Sequence, residues 1–241
     1  MASPAEALVV NLARSPERWA ATQASLAGAG LAVRRVEAVD ARAEPRSPRY
    51  DAHRNARSYF APLKPAEIAC FRSHRRAWSE VARGGRPALV CEDDVEADGA
   101  TGALVRALAE RHSGQRAAVK LYSKRAVRGA GEPLGNRTLV RPRVVPLGCV
   151  AVWLTPEGAE ALLAASERFH LPVDVFAQQT WVHGVPTFCV LPPPVREVSA
   201  RLGGTTLAAP RRASLGERLV REVRRPLFRA GLALRSLLEN R

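Results

Sequence analysis

Seven residues, Ala88 to Asp94, leave this chain few ways to fold: the apolar run Ala88-Leu89-Val90-Cys91 leads without a break into Glu92-Asp93-Asp94. A short apolar run bounded by turn signals, here Arg86-Pro87 on the upstream side, reads as a strand buried on both faces. Such a strand delivers three carboxylates to the end of a sheet. Desolvation and mutual repulsion make that arrangement costly without a cation, and hard oxygen ligands suit Mg²⁺ or Mn²⁺ shared with substrate phosphates. A solvated acidic turn is the other reading of the same cluster.

The rest of the chain supplies partners for that strand. Ala7 to Leu12 reads as a strand, and Ser15-Pro16-Glu17 opens a helix. Leu31 to Val39 reads as a second strand, and Asp40 to Pro62 as a long Arg- and Pro-rich loop facing the site. Pro65 opens a helix to about Arg83. After the acidic strand come a helix over Ala100 to Arg111, a strand over Ala117 to Tyr122, and a Gly-rich basic loop from Arg125 to Arg137. Val144 to Leu154 is strand-like, Thr155-Pro156-Glu157 caps a helix to about Glu167, and Thr187 to Leu191 forms a final strand. Strands alternating with helices predict an α/β fold, where ligands gather outside the carboxyl ends of strands.

On the helix from Pro65, the residues Glu67, Cys70, Phe71, His74, Trp78 and Val81 follow three- and four-residue spacing and share a face. Glu67 and His74 can face a cleft while Phe71, Trp78 and Val81 anchor the helix on the sheet. A satisfied core histidine is the alternative for His74.

Of 241 residues, 37 are basic and 23 acidic, a formal net charge of +14. This invites a phosphate-rich partner, but only Lys64, Lys120 and Lys124 are lysines, and the Arg, Ala, Gly and Pro content resembles a GC-rich coding bias. No helix-turn-helix, zinc or aromatic RNA-binding signature accompanies the charge, so a nucleic acid is not the expected partner. Cys70, Cys91, Cys149 and Cys189 are too scattered for a zinc site or a disulfide framework. No apolar run reaches the roughly 18 residues of a membrane-spanning helix. The opening residues lack a signal-peptide pattern, so a cytoplasmic location is expected.

The chain is expected to divide into a domain over residues 1–210 and a tail over 211–241. The tail carries nine Arg against three Glu among interleaved Leu and Val. It reads either as an amphipathic basic helix, kinked at Pro226, lying on an anionic inner-membrane face, or as a terminal helix packed on the domain.

Four segments together resemble glycosyltransferase family 25. They are Asn11-Leu12 with Arg14 and Arg18; Glu67-Ile68-Ala69-Cys70-Phe71-Arg72-Ser73-His74 with Trp78; Val90-Cys91-Glu92-Asp93-Asp94-Val95; and Leu171-Pro172-Val173-Asp174. They occur in family order over roughly residues 7–195. The resemblance implies a GT-A-type, Rossmann-like α/β domain with a mostly parallel sheet flanked by helices. It also implies a nucleotide-sugar donor, typically UDP-galactose, and inverting transfer to a hydroxyl of a lipopolysaccharide, lipooligosaccharide or other surface glycan.

On that resemblance, Asp93 and Asp94 are the expected ligands of Mn²⁺ or Mg²⁺, and Glu92 either orients the ribose or finishes the strand. Inversion needs a base in reach of the acceptor hydroxyl, and Asp174 is the first candidate, with Glu67 second. Asn11, Arg14, Arg18, Ser73, His74 and Lys120 are the expected donor-binding residues. The strand Gly148-Cys149-Val150-Ala151-Val152-Trp153 departs from the family, which carries a small residue followed by Tyr there. A relative that has lost catalysis and serves as a binding or scaffold protein is the competing reading, beside an arginine-rich nucleic-acid binder.

Overall fold

The computed structural model describes residues 5–202 and the helix over 215–239, with side chains in that helix from residue 222 onward. The first half comprises β1 (Glu6–Asn11), α1 (Pro16–Gly28), β2 (Ala32–Glu37), α2 (Ala52–Ser58), α3 (Pro65–Gly84), β3 (Ala88–Glu92), β4 (Val95–Ala97), α4 (Thr101–Arg111) and β5 (Ala118–Lys120). It continues with β6 (Gly129–Leu134), β7 (Arg137–Pro142), β8 (Ala151–Leu154), α5 (Pro156–Ala165), α6 (Val173–Gln178), α7 (Thr180–His183), β9 (Thr187–Leu191), β10 (Val195–Glu197) and α8 (Leu215–Glu239).

The strands of the main sheet lie in the order β2-β1-β3-β8-β5-β9-β7-β6. β1 pairs parallel to both β2 and β3, and β5 parallel to β9. β8 runs antiparallel between β3 and β5, so these two still point the same way. The expected α/β architecture is therefore present, with a large, mostly parallel central sheet in which β8, in the middle, and β7, next to the edge, run against the other strands, a reversal that the periodicity did not announce. A separate ribbon pairs β4 with β10 across about a hundred residues of sequence.

Side chains alternate between two apolar layers, as strands covered on both faces require. Leu8, Val10 and Val90 pack under Phe71, Trp78 and Val81 of α3, Leu162 of α5 and Phe176 of α6. Val9, Leu89, Cys91, Val119 and Trp153 pack on the opposite layer with Leu26 of α1 and with Leu104 and Leu108 of α4. The alternation that buries Ala88 and Val90 toward α3 carries Glu92 to that same side, and it does the same for Lys120 after Ala118.

Helix α3 is fixed at both ends. Pro65 occupies the first turn, Glu67 Oε2 accepts from the Lys64 backbone N–H at 2.7 Å, and Gly85 closes the helix at φ +60°. That positive φ suits a residue without a Cβ.

Four local expectations need correction. The loop from Asp40 to Pro62 contains α2, capped by Asp51, whose carboxylate accepts from the Arg54 N–H at 2.9 Å. The Gly-rich stretch after Arg125 is an edge hairpin, β6–β7, turned at Gly135 (φ +60°). The strand predicted from Val144 begins only at Ala151, because Pro146 and Gly148 (φ +95°) bend the chain beforehand. Ser15 precedes α1 as expected, but its hydroxyl makes no cap; its carbonyl accepts from the Asn11 side chain at 3.0 Å. Thr155 does cap α5, its hydroxyl accepting from Gly158 N–H at 3.1 Å.

Candidate active site

The carboxyl ends of β1, β3 and β5 lie along one edge of the sheet, and α3 and α6 wall the space above it. At this edge the acidic motif meets the first segment of the chain. Arg18, buried on α1, donates from Nε to Asp93 Oδ1 at 2.8 Å and from Nη2 to Asp94 Oδ2 at 2.9 Å. Asn11, at the end of β1, donates from Nδ2 to Asp93 Oδ2 at 2.7 Å. One guanidinium thus offsets two buried carboxylates, and hydrogen bonds to both partners are what make such burial tolerable.

The arrangement gives three of the expected residues partners within the protein. Both oxygens of Asp93 accept hydrogen bonds, from Asn11 and Arg18, so Asp93 ties the turn after β3 to the turn after β1. Asn11 and Arg18 stand beside the acidic cluster, where both donate to its carboxylates. Arg14 lies farther out, where its Nε donates to Asp40 Oδ2 at 2.9 Å.

Negative charge at the edge is not fully balanced. Burial, then the carboxylates of Asp94, Asp93, Glu197 and Asp174, push the Glu92 carboxyl up to about 8. Burial also raises Asp94, against the pull of Arg18. The buried oxygens Asp94 Oδ1 and Asn11 Oδ1 accept nothing among the described residues. Orphaned oxygen acceptors beside a strained carboxylate suit a hard cation. Among the described residues no three of His, Cys, Asp and Glu are grouped as a metal cage. Asp94 and Glu92 fit the more open arrangement in which one or two carboxylates hold the ion and phosphate oxygens complete its shell.

Asp174 lies in the first turn of α6, half-buried, with Oδ1 accepting from the Val175 N–H at 2.8 Å. Its charge bears on Glu92, Cys70, His74, Cys149 and the Tyr59 phenol, so it lies within electrostatic reach of Glu92 in the acidic motif. Glu67 reaches Tyr59 and Cys70 as well, but one of its oxygens is committed to the start of α3.

Beneath this cleft the remaining expected residues hold structure. Ser73 donates to Ala69 O at 2.7 Å and accepts from Val39 N–H at 2.8 Å, which ties the chain after β2 to α3. His74 is buried, with Nδ1 3.1 Å from Cys70 O and Nε2 unpartnered among the described residues. Burial lowers its pKa and keeps the ring neutral. The Lys120 ammonium donates to the Gly148 carbonyl. His74, Lys120, Cys149 and His183 line an internal cavity of about 30 Å³, room for a water but not a phosphate. Ser73, His74 and Lys120 are thus buried and bonded to neighbouring backbone.

Two residues escaped the sequence reading. Glu197 of β10 adds its charge to Glu92 and Asp94 and accepts from the Tyr122 hydroxyl at 3.1 Å. Only the long-range β4–β10 pairing brings it there, and no local pattern announces it. Tyr59 follows α2, within a segment read as loop.

An α/β sheet that collects acidic side chains at the carboxyl ends of its parallel strands, beneath a wall of helices, has the layout of a Rossmann-like glycosyltransferase. The model of glycosyltransferase family 25, described as LPS biosynthesis protein, matches residues 5–177, and the chain belongs to that family. The match spans all the candidate residues from Asn11 to Asp174. No curated protein matches the chain. Family membership identifies a transferase that takes a sugar donor and a glycan acceptor.

Proposed function

We propose that this protein is an inverting hexosyltransferase that moves a sugar, galactose first among the candidates, from a UDP-linked donor to a hydroxyl of a lipopolysaccharide-type glycan. One observation carries the reading: in a family 25 chain, Glu92 and Asp94 stand at the end of β3, and Asp174, on a separate element, lies within electrostatic reach of Glu92. Those are the parts a single displacement needs, one group for the leaving diphosphate and another for the incoming hydroxyl.

Asp174 takes the proton of the acceptor hydroxyl as its oxygen attacks the anomeric carbon. Its place in the first turn of α6, behind Pro172, holds it at the cleft wall. Asp94 and Glu92 would hold Mn²⁺ or Mg²⁺, which when bound neutralises charge on the departing diphosphate. Arg18 and Asn11 keep Asp93 and Asp94 in place before the donor arrives, so little reorganisation is required during the reaction.

Calorimetric titration with UDP and UDP-galactose, each with Mn²⁺ and with EDTA at moderate salt, tests this. Saturable binding that requires the cation and is lost in Asp94→Asn is expected. Asp174→Asn is expected to bind donor normally and to lower turnover by about 10²-fold or more. Normal turnover by Asp174→Asn removes the base assignment, and absence of donor binding under every condition favours a relative that has lost catalysis.

A further inference from the structure

Helix α8 presents two unlike faces. Its inner side rests on the domain. Phe228 meets Tyr59 and Phe60 edge-on at 5.1 and 5.9 Å, Arg225 lies over the Phe60 ring, Arg235 lies over Trp181, and Ser236 is buried. Arg224 donates to the carbonyls of Ala56 and Arg57 at 3.1 and 3.3 Å. The opposite side carries Val223, Leu227, Leu234 and Leu238, which are 56%, 67%, 62% and 59% exposed. At 100° per residue these four fall within one narrow stripe, away from Phe228 and Ser236.

A helix already docked on its own domain has no need of a second apolar stripe. Nor is this helix a span: among the described residues no helix is long and apolar enough to cross a membrane. The charge around the stripe selects its occupant. The last 31 residues carry nine Arg against three Glu, and the arginines engaged with the domain meet carbonyls and aromatic rings, which leave their charge uncancelled. A second copy of this helix would bring like charges together, whereas an anionic bilayer would receive the leucines among its acyl chains and the guanidinium groups at its headgroups.

We propose that α8 is an interfacial helix that docks this protein on an anionic lipid bilayer through Val223, Leu227, Leu234 and Leu238. Its inner face sits on Tyr59, whose phenol feels Asp174 and Glu67 and also Arg225 and Arg229 of the helix. Docking therefore brings the lipid surface to the rim of the cleft.

The test is co-sedimentation of the full chain with vesicles of phosphatidylcholine alone and of phosphatidylcholine with phosphatidylglycerol, at moderate salt. The double variant Leu227→Gln/Leu234→Gln is compared because it keeps the net charge. The wild-type chain is expected to pellet with the anionic vesicles, and the variant to partition at least about tenfold more weakly, with unchanged melting temperature and UDP binding. Equal partitioning of variant and wild type overturns the proposal, because charge alone then explains binding. So does equal binding to the neutral vesicles, failure of the wild type to bind either, or a stripe-dependent dimer in sedimentation velocity without lipid binding. Vesicle binding is read without turnover, so its failure and the failure of the transferase reading are separate results.

Discussion

Glu92 links the charge of the cleft to the stability of the fold. Its carboxyl is pushed up to about 8 from an ordinary 4.5 by burial and neighbouring carboxylates. Between those values the folded chain binds more protons than the unfolded chain, so stability falls as pH rises through the window, and the penalty is complete above it. Glu92→Gln removes the titration. In EDTA it is expected to melt several degrees above wild type at pH 8.5 and level with it at pH 4.5, by scanning calorimetry. An equal gain at both pH values would show that packing, and not charge, is responsible. The same motif shows where sequence reading stops at this scale. That Glu92, Asp93 and Asp94 end a buried strand was legible from an apolar run leading into carboxylates. Their partners were not, because Arg18 and Asn11 lie more than seventy residues upstream of Asp93. For Lys120, Ser73 and His74, spacing says which face of an element they occupy, and not what each bonds to there.

Among elements, the legible ones were those whose burial imposes a period. Helices α1, α3, α4 and α5 and strands β1, β2, β3 and β9 lie close to where the pattern puts them, since each has an apolar face or run bounded by Pro, Gly or a capping residue. The hairpin β6–β7 was read as loop because its outer strand, Gly-Ala-Gly-Glu-Pro-Leu, is exposed and needs no apolar pattern. Pro133 is tolerated there because an edge strand has N–H groups that need no partner. The glycines have a different cause. A Cβ on Gly129 would stand 1.9 Å from the Arg141 carbonyl oxygen, and one on Gly131 would stand 2.6 Å from Thr138 Cγ2. Gly129→Ala is therefore expected to part the base of the hairpin, seen as faster amide exchange over residues 129–142. UDP binding should be retained, because the cleft lies on other strands. Unchanged exchange would mean that the hairpin shifts without opening.

At the scale of the whole molecule, the proposed site draws on β1, β3, α3 and α6, so donor binding there would be tied to global stability. On the proposed function, UDP bound with a divalent cation at a hundred times the dissociation constant adds about 2.7 kcal/mol to the folded state. For a chain of this size that raises the melting temperature by about 5 to 10 °C. Differential scanning fluorimetry reads the shift directly, and Asp94→Asn should abolish it. The α/β class was legible because strand–helix alternation leaves few architectures. Strand order was not, since nothing in Ala151–Leu154 says that it enters the sheet backwards.

That reversed strand has a consequence for how the chain is made. β3 and β5 both leave the ribosome before β8, yet they are joined to each other only through it. Until Leu154 has emerged, the nascent chain holds two apolar strand edges with an empty slot between them, each able to pair with the wrong neighbour. The two halves of the sheet are joined late, by a four-residue insertion. Synthesis stalled in the hundred and fifty residues before that point yields a client for a chaperone, and no miniature of the enzyme.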